Sequence, residues 1–248
     1  MKTKRKLKFL SYIIFSALFS ITLISCEKNS NGNNEDSTIV FGDGTVDIDG
    51  NQYTTVIIGT QEWMAENLRV TKYRNGDVIQ NASDDLEWSD NTTGAFCWYD
   101  NSHSVWGDKY GALYNYHSIA DERGLCPIGW VVPDDSDWKQ LIEFLGDVPF
   151  AGGKLKSETT EPNGHPRWDD PNDGASNVTG FSAFPGGLRK PNGEFENIGK
   201  YGFWWSATEW TNNENLGVQL RYYDGSIITP DVYSDFKNTG FSIRCIKE

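Results

Sequence analysis

All ten tryptophans of this 248-residue chain lie beyond Thr45, in a region where short apolar and aromatic runs alternate with turn-forming residues. The turn signals recur about every ten residues, a spacing typical of short strands joined by tight turns. A chain of this length can bury one sizeable hydrophobic core. The pattern therefore predicts a single loop-rich, mostly β domain over residues 45–248.

The first 26 residues resemble a bacterial lipoprotein signal. Five basic residues precede an apolar segment at 9–24, which ends in Leu-Ile-Ser-Cys at 23–26. A charged region, an apolar region and a small residue before the cleavage point make up a secretory signal. A transmembrane helix, the alternative, needs roughly 20 apolar residues, whereas this segment is shorter and contains three serines and a threonine. We expect removal of residues 1–25 and acylation of Cys26, with palmitate among its chains. The exported lipoprotein would then sit at the outer membrane, on its periplasmic or cell-surface face.

The charge balance argues against nucleic acid as a partner. Residues 1–25 hold five of the 22 basic side chains and none of the 35 acidic ones, so their removal changes the formal charge from −13 to −18. Such a surface repels phosphate backbones and anionic lipid head groups. Residues 26–44 are mainly Asn, Ser, Gly and acidic residues, a composition that predicts a flexible tether between membrane and domain.

Local patterns predict a hairpin and one clear helix. Two β-prone runs, 45–48 and 52–58, flank an Asp-Gly-Asn turn and should pair with each other. After Pro133, an aspartate cap precedes apolar residues at helical spacing, and Gly146 ends the pattern. A second short helix is predicted within 110–121. The later strands are predicted from short aromatic runs at 180–184, 202–206, 217–222 and 240–246.

Eight ordered motifs carry a resemblance to a known family. They are DGNQY at 49–53, IGTQEWMAENL at 58–68, YGALYN at 110–115, CPIGWVVP at 126–133, AGGKLK at 151–156, GFSAFPGG at 180–187, WWSATE at 204–209 and GFSIRC at 240–245. On these motifs, residues 45–248 resemble the Fibrobacter succinogenes major paralogous domain family. The resemblance implies a secreted or surface-anchored protein with an α+β, C-type lectin-like fold. Such folds have two helices, short antiparallel strands and termini that lie together. The resemblance implies no known reaction.

The cysteine count fits an exported protein. Once Cys26 is acylated, three cysteines remain in an oxidising compartment, so one of them stays unpaired. The lectin-like resemblance implies a disulfide between Cys126 and Cys245, because these folds tie the last strand to the middle of the chain. Closing a loop of roughly 100 residues stabilises by up to about 4.7 kcal/mol. Pairing of Cys97 with either cysteine is the alternative, since sequence alone does not fix connectivity.

Cys97 is the candidate for a reactive thiol. A catalytic thiol needs a base such as histidine within hydrogen-bond reach. The lectin-like fold also includes the formylglycine-generating enzymes, which use a pair of reactive cysteines, but the predicted disulfide leaves Cys97 no second cysteine. Its neighbours Phe96 and Trp98 favour a buried thiol. We therefore expect a chain without enzymatic activity.

The loop at 158–177 is rich in carboxylates and amides, the oxygen ligands that Ca²⁺ takes in sets of six to eight. Its Glu-Pro-Asn sequence at 161–163 resembles the sugar- and calcium-binding motif of C-type lectins. The loop departs from an EF-hand because Pro171 stands at a ligand position, and a solvated polar loop is the alternative. No other cofactor is expected. The candidate residues of this loop are Glu161 and Asn163 for a ligand, and Asp169, Asp170, Asn172 and Asp173 for Ca²⁺.

Tryptophans in polar loops are the candidates for exposed recognition, because a flat ring can pack against a sugar. Trp168 and Trp210 stand in such loops. Trp204 and Trp205 are adjacent on a predicted strand and should point to opposite faces, so we expect only one of them in the core.

Together these patterns predict a membrane-anchored module that acts by binding a glycan or a surface protein. The alternatives are a structural subunit of an envelope complex and, third, an enzyme of the formylglycine-generating type.

Overall fold

The first and last parts of the described chain meet in one five-stranded sheet. The computed structural model describes residues 38–160, 162–211, 214–229 and 234–248. The sheet contains β1 (Val40–Phe41), β4 (Thr55–Ile58), β5 (Gln61–Met64), β9 (Trp130–Val131) and β16 (Ile246–Lys247). Their order is β1-β4-β5-β16-β9. Because Ile246 pairs with Trp63 on one side and Val131 on the other, the C-terminal strand joins the N-terminal half to the middle of the chain.

The second large sheet holds most of the C-terminal half. Its strands are β10 (Gly186–Arg189), β11 (Phe195–Ile198), β12 (Tyr201–Glu209), β13 (Glu214–Arg221), β14 (Asp224–Ile228) and β15 (Ser234–Phe236). The order is β11-β10-β12-β13-β14, and β15 also pairs with β13. Two small sheets contain β2 (Thr45–Val46) with β3 (Gln52–Tyr53), and β6 (Gln80–Asn81) with β7 (Ala95–Cys97) and β8 (Leu113–Tyr114).

The predicted N-terminal hairpin is confirmed. β2 and β3 pair antiparallel, with Thr45 opposite Tyr53. Gly50 takes φ +86° in the turn, a conformation that glycine adopts without strain. The Asp47 carboxylate accepts two hydrogen bonds from amides of this turn. The predicted second strand is divided, because residues 55–58 leave the hairpin and join the five-stranded sheet as β4.

Regular structure is already present before the predicted domain start at Thr45. Strand β1 lies within the segment predicted as a tether, and its Val40 pairs with Ile57 of β4. The neighbouring Ile39 packs against the core. Only Ile39 is partly buried, whereas Val40 and Phe41 are 54% and 61% exposed, so backbone pairing with β4 and the packing of Ile39 hold this segment. The signal peptide and Cys26 lie outside the described residues.

The described residues contain five α-helices, where the family resemblance implies two. They are α1 (Asp85–Ser89), α2 (Asp108–Tyr110), α3 (Tyr116–Ile119), α4 (Asp135–Phe144) and α5 (Val148–Leu155). The helix predicted after Pro133 is confirmed as α4: Asp134 caps it, and its Trp138 and Leu141 are buried. The helix predicted within 110–121 is only the single turn of α3. None of the helices in these ranges is long and apolar enough to cross a membrane.

Helix α5 has no clear sequence signal, because it contains Pro149, Gly152 and Gly153, which are poor helix formers. Proline is tolerated in the first turn. The glycines allow close packing: a Cβ on Gly152 would lie 2.2 Å from the carbonyl oxygen of Ser226, and one on Gly153 would lie 2.2 Å from that of Gly174. Helix α5 therefore packs directly on the β14 backbone.

The C-terminal sheet is covered on both faces. Trp204 packs with residues of α4 and α5 in one hydrophobic cluster, and Trp205 packs with Tyr114 and Phe241 in the other. Both tryptophans are fully buried, so the prediction that only one of them belongs to the core is wrong. Alternation along β12 was predicted correctly, but a sequence does not reveal that a second layer covers the outer face.

Two of the four later predicted strands are confirmed. Residues 202–206 lie in β12, and 217–222 overlap with β13. In the other two predicted runs only Ala183 and the three residues at 240–242 make isolated bridges, each run bonding to several different elements, and Ile246 belongs to β16.

The predicted disulfide is present. Cys126 and Cys245 are bonded with a sequence separation of 119, and Cys97 is a buried free cysteine. The bond joins the loop before β9 to the residue before β16, so it reinforces the same contact that closes the five-stranded sheet.

Candidate functional site

Trp168, predicted as an exposed recognition residue, is fully buried. Its indole Nε1 donates a hydrogen bond to the Ala183 carbonyl at 2.9 Å, and the Lys156 Nζ lies 5.2 Å from its ring centroid. The prediction for Trp168 is therefore wrong. Polar residues flank Trp168 in the sequence, but this segment folds over the core, and the Trp168 ring packs within the core.

The acidic loop is organised by a lysine of the chain itself. The fully buried Lys156 donates from Nζ to the backbone carbonyls of Asp173, Arg221 and Asp224 at 2.8, 2.9 and 3.0 Å. Burial lowers the pKa of Lys156 to about 8, and nearby Asp173 and Asp224 oppose that shift. The Lys156 ammonium group thus joins one backbone oxygen of the loop to two backbone oxygens of β13 and β14.

The candidate Ca²⁺ ligands do not form a site. Across the described ranges, no group of three or more His, Cys, Asp and Glu side chains could hold a metal, so the carboxylates of Asp169, Asp170 and Asp173 do not converge. Asn172 is buried and donates from Nδ2 to the Ser157 carbonyl. The residues present do not fit Ca²⁺, and we derive no step through it.

The Glu-Pro-Asn motif is exposed where it is described. Asn163 is exposed and donates from Nδ2 to the Thr160 carbonyl, within its own loop. Glu161 lies outside the described residues.

Trp210, the other predicted recognition residue, is 57% exposed just after the end of β12. A second exposed aromatic lies close by in the sheet: Phe236 of β15 is 52% exposed and pairs with Glu214 of β13. On the other side of β13, the amide next to Trp210, that of Thr211, donates to the Glu214 carbonyl. The two aromatic residues therefore flank the same end of β13.

A groove of about 450 Å³ lies against Phe236, within the range of about 300–1,000 Å³ typical of small-ligand sites. Its lining combines one aromatic and one proline with amide, hydroxyl, imidazole and ammonium side chains: Asn91, Thr92, His117, Pro191, Phe236, Lys237 and Asn238. The residues come from four separate parts of the chain. The segment after α1, helix α3, the end of β10 and the end of β15 bring them together.

Hydrogen bonds hold Asn238 of this groove in place through both its backbone and its side chain. Its carbonyl accepts a 2.7 Å hydrogen bond from Trp88 Nε1, its Nδ2 donates to the Ser89 carbonyl at 2.8 Å, and its Oδ1 lies 3.2 Å from His117 Nε2. Asn91 is similarly held, because its Nδ2 donates to Gln80 Oε1. The polar side of the groove is thus pre-formed.

The groove carries little net charge. Burial lowers the pKa of His117, and Lys237 lowers it further while the hydrogen bond with Asn238 opposes both, so the imidazole is neutral at neutral pH. Lys237 Nζ lies 2.7 Å from the Glu209 carboxylate. A neutral, hydroxyl-rich ligand fits such a lining better than an ion.

A larger groove of about 600 Å³ lies beside β2, β3 and β4, but many of its polar groups are already paired. Thr55 Oγ1 bonds with the Gly44 amide and the Glu62 carboxylate, and Glu66 Oε1 accepts from the Thr54 amide. It offers no exposed aromatic ring comparable to Phe236.

Comparison with known protein families shows the family to which the chain belongs. The model of the Fibrobacter succinogenes major domain matches residues 56–247. The chain belongs to this family. No curated protein and no solved structure matches it.

In this Fibrobacter succinogenes major domain, Cys97 lacks the properties of a nucleophile. Its side chain is fully buried, and burial raises the pKa of the thiol to about 12, although the nearby Arg189 guanidinium lowers it. Almost none of it is thiolate at neutral pH. Cys126 and Cys245 are consumed by the disulfide.

Sequence reasoning missed most of the groove of this Fibrobacter succinogenes major domain. Asn91 and His117 are 26 residues apart, and His117 and Asn238 are 121 residues apart. Nothing in their local sequence marks them as neighbours. Of the residues near this groove, only Trp210 is predicted from the sequence as a recognition residue, because it stands in a polar loop.

Proposed function

We propose that this protein is a non-catalytic binding module that holds a neutral glycan in the groove beside Phe236. The observation that carries the proposal is the exposed Phe236 ring next to fixed amide and imidazole groups in a groove of about 450 Å³. Sugar rings present one apolar face and a rim of hydroxyls, which such a mixed lining complements.

The charge of the chain narrows the ligand class. A mature protein with a formal charge of −18 repels acidic polysaccharides, and the groove's own lysine is paired with Glu209. Neutral hexose or N-acetylhexosamine polymers therefore suit the groove better than uronic or sialic acids. Trp210 follows Glu209, the partner of Lys237, and offers a second exposed ring for further sugar units.

Two further parts of the proposal concern architecture and location. The C-type lectin-like comparison is supported by the pairing of β16 with β5 and β9 and by the long-range disulfide. Export and anchoring through acylated Cys26 are supported by the leader sequence and by the disulfide, which an oxidising compartment maintains.

A glycan array probed with residues 27–248 tests the function. We predict hits among neutral glycans that persist in EDTA, because the described residues gather no metal site, and that weaken with Trp210→Ala. Silence on the array, together with co-purification of specific envelope proteins, would contradict the glycan proposal and favour the alternative of a structural subunit in an envelope complex.

A further inference from the structure

Three exposed aliphatic side chains surround one small cavity at the N-terminal end of the domain. Val46 and Ile48 belong to the β2–β3 hairpin and are 55% and 50% exposed, and Ile128, in the loop before β9, is 84% exposed. With Leu125 and others they line a cavity of about 210 Å³. Exposed aliphatic side chains that lie together form an apolar patch, and such patches mark surfaces that bind another molecule or a membrane.

A second apolar cavity continues the first. It measures about 280 Å³, shares Arg74, Leu125 and Cys126 with the first cavity, and is extended by Ile119 and Val132 among others. The two cavities therefore form one apolar surface that passes on both sides of Arg74. We call this surface, with Val46, Ile48 and Ile128, the apolar end.

Arg74 is a fixed cation at the centre of the apolar end. Its Nε donates to the Cys126 carbonyl at 3.0 Å and its Nη2 donates to the Trp130 carbonyl at 2.9 Å. Neighbouring cations are matched by carboxylates, as Lys72 is by Asp49, whereas Arg74 has no carboxylate partner among the described residues. An apolar surface around such a cation is complementary to a molecule with apolar chains and a phosphate.

We infer that the apolar end rests on a phospholipid membrane, with its aliphatic side chains in the acyl region and Arg74 at the level of the phosphates. Its position in the chain supports this occupant. The hairpin follows the proposed anchor at Cys26 by only 20 residues, from 26 to 46, a distance of at most about 70 Å when fully extended. An acylated Cys26 would keep the apolar end close to the bilayer, and burial of its aliphatic side chains there would add to the attachment.

The placement near a membrane rests on the proposed lipid anchor, but the chemistry of the surface is tested without it. Residues 27–248 lack Cys26 and retain the described hydrophobic clusters and the disulfide. This protein is mixed with phosphatidylcholine vesicles and floated through a density gradient. We expect a measurable bound fraction, and the double substitution Ile48→Asn with Ile128→Asn should lower the partition coefficient at least about tenfold.

The matched control changes two aliphatic side chains elsewhere. Leu86→Asn with Val105→Asn alters residues that are 73% and 44% exposed and that do not line the apolar end, so vesicle binding should be unchanged. Arg74→Gln should weaken binding a few-fold, and circular dichroism would confirm that each variant is folded.

Three results would overturn the inference. The first is no flotation of the unsubstituted protein, and the second is flotation that the Ile48 and Ile128 changes leave intact. The third is a concentration-dependent dimer that the same changes abolish, since the surface would then bind a second copy. Failure here is distinguishable from failure of glycan binding, because the array contains no bilayer and the two Ile substitutions lie outside the groove.

Discussion

Two buried cations show how single residues hold the loops of this domain. Arg244 is fully buried and donates to the Asn67 side-chain oxygen and to the carbonyls of Met64 and Phe181. Burial lowers its pKa to about 9. Asn67 Oδ1 also accepts from Trp204 Nε1 at 2.9 Å. Like Lys156, Arg244 joins backbone oxygens of separate segments, so these family-motif residues have structural roles.

His117 gives the groove a titratable group whose effect on stability has a definite sign. Burial holds its pKa below the usual 6.5 in the folded protein. As the pH falls through that value, the unfolded chain takes up a proton that the folded protein resists, so the free energy of unfolding decreases.

We predict that the unsubstituted protein loses more stability between about pH 7 and about pH 5 than His117→Gln, which cannot titrate there. Urea denaturation at both pH values measures the difference. His103 and His165 remain in both proteins, so they cancel in the comparison. Parallel pH profiles for the two proteins would show that His117 does not titrate differently on folding.

At the scale of elements, the contact between α5 and β14 depends on the absence of side chains. Gly152→Ala would place a Cβ within 2.2 Å of the Ser226 carbonyl oxygen, and overpacking of this kind costs about 1–3 kcal/mol. We predict a loss of that size in the free energy of unfolding, measured in urea.

Gly164→Ala is the matched control, because a Cβ there meets nothing within 4 Å and the backbone is outside the left-handed region. Its stability should equal or slightly exceed that of the unsubstituted protein. Equal stabilities of the two alanine variants would contradict the close packing of α5.

Elements with local signals were predictable, and those held by distant contacts were not. The hairpin at 45–53 and helix α4 carry their turn and cap residues in their own sequence. Helix α5 does not, because its glycines serve a contact with Ser226 and Gly174, far along the chain. Residues 240–246 resemble a strand but bond to several elements, a distinction that requires the tertiary structure.

For the whole molecule, the family resemblance predicted long-range features that local patterns could not. It implied both the Cys126–Cys245 disulfide and the meeting of the two ends of the domain, and the disulfide is present while the first and last strands of the described residues share one sheet. The groove escaped prediction because its lining comes from four segments. The calcium prediction is not supported, because a carboxylate-rich sequence specifies composition whereas a metal site requires that its ligands converge. Among the described residues no such group of His, Cys, Asp and Glu forms, and Lys156 binds the Asp173 carbonyl of the loop.

The most direct test of the account is the affinity of the groove for a neutral glycan, measured by isothermal titration calorimetry with the strongest array hit. The account predicts that Phe236→Ala weakens binding at least about tenfold, because it removes the exposed ring on which a sugar packs. Phe150→Ala, which removes a 65% exposed phenylalanine on α5 outside the groove, should leave the affinity unchanged. Equal affinities of the Phe236→Ala variant and the unsubstituted protein would contradict the account.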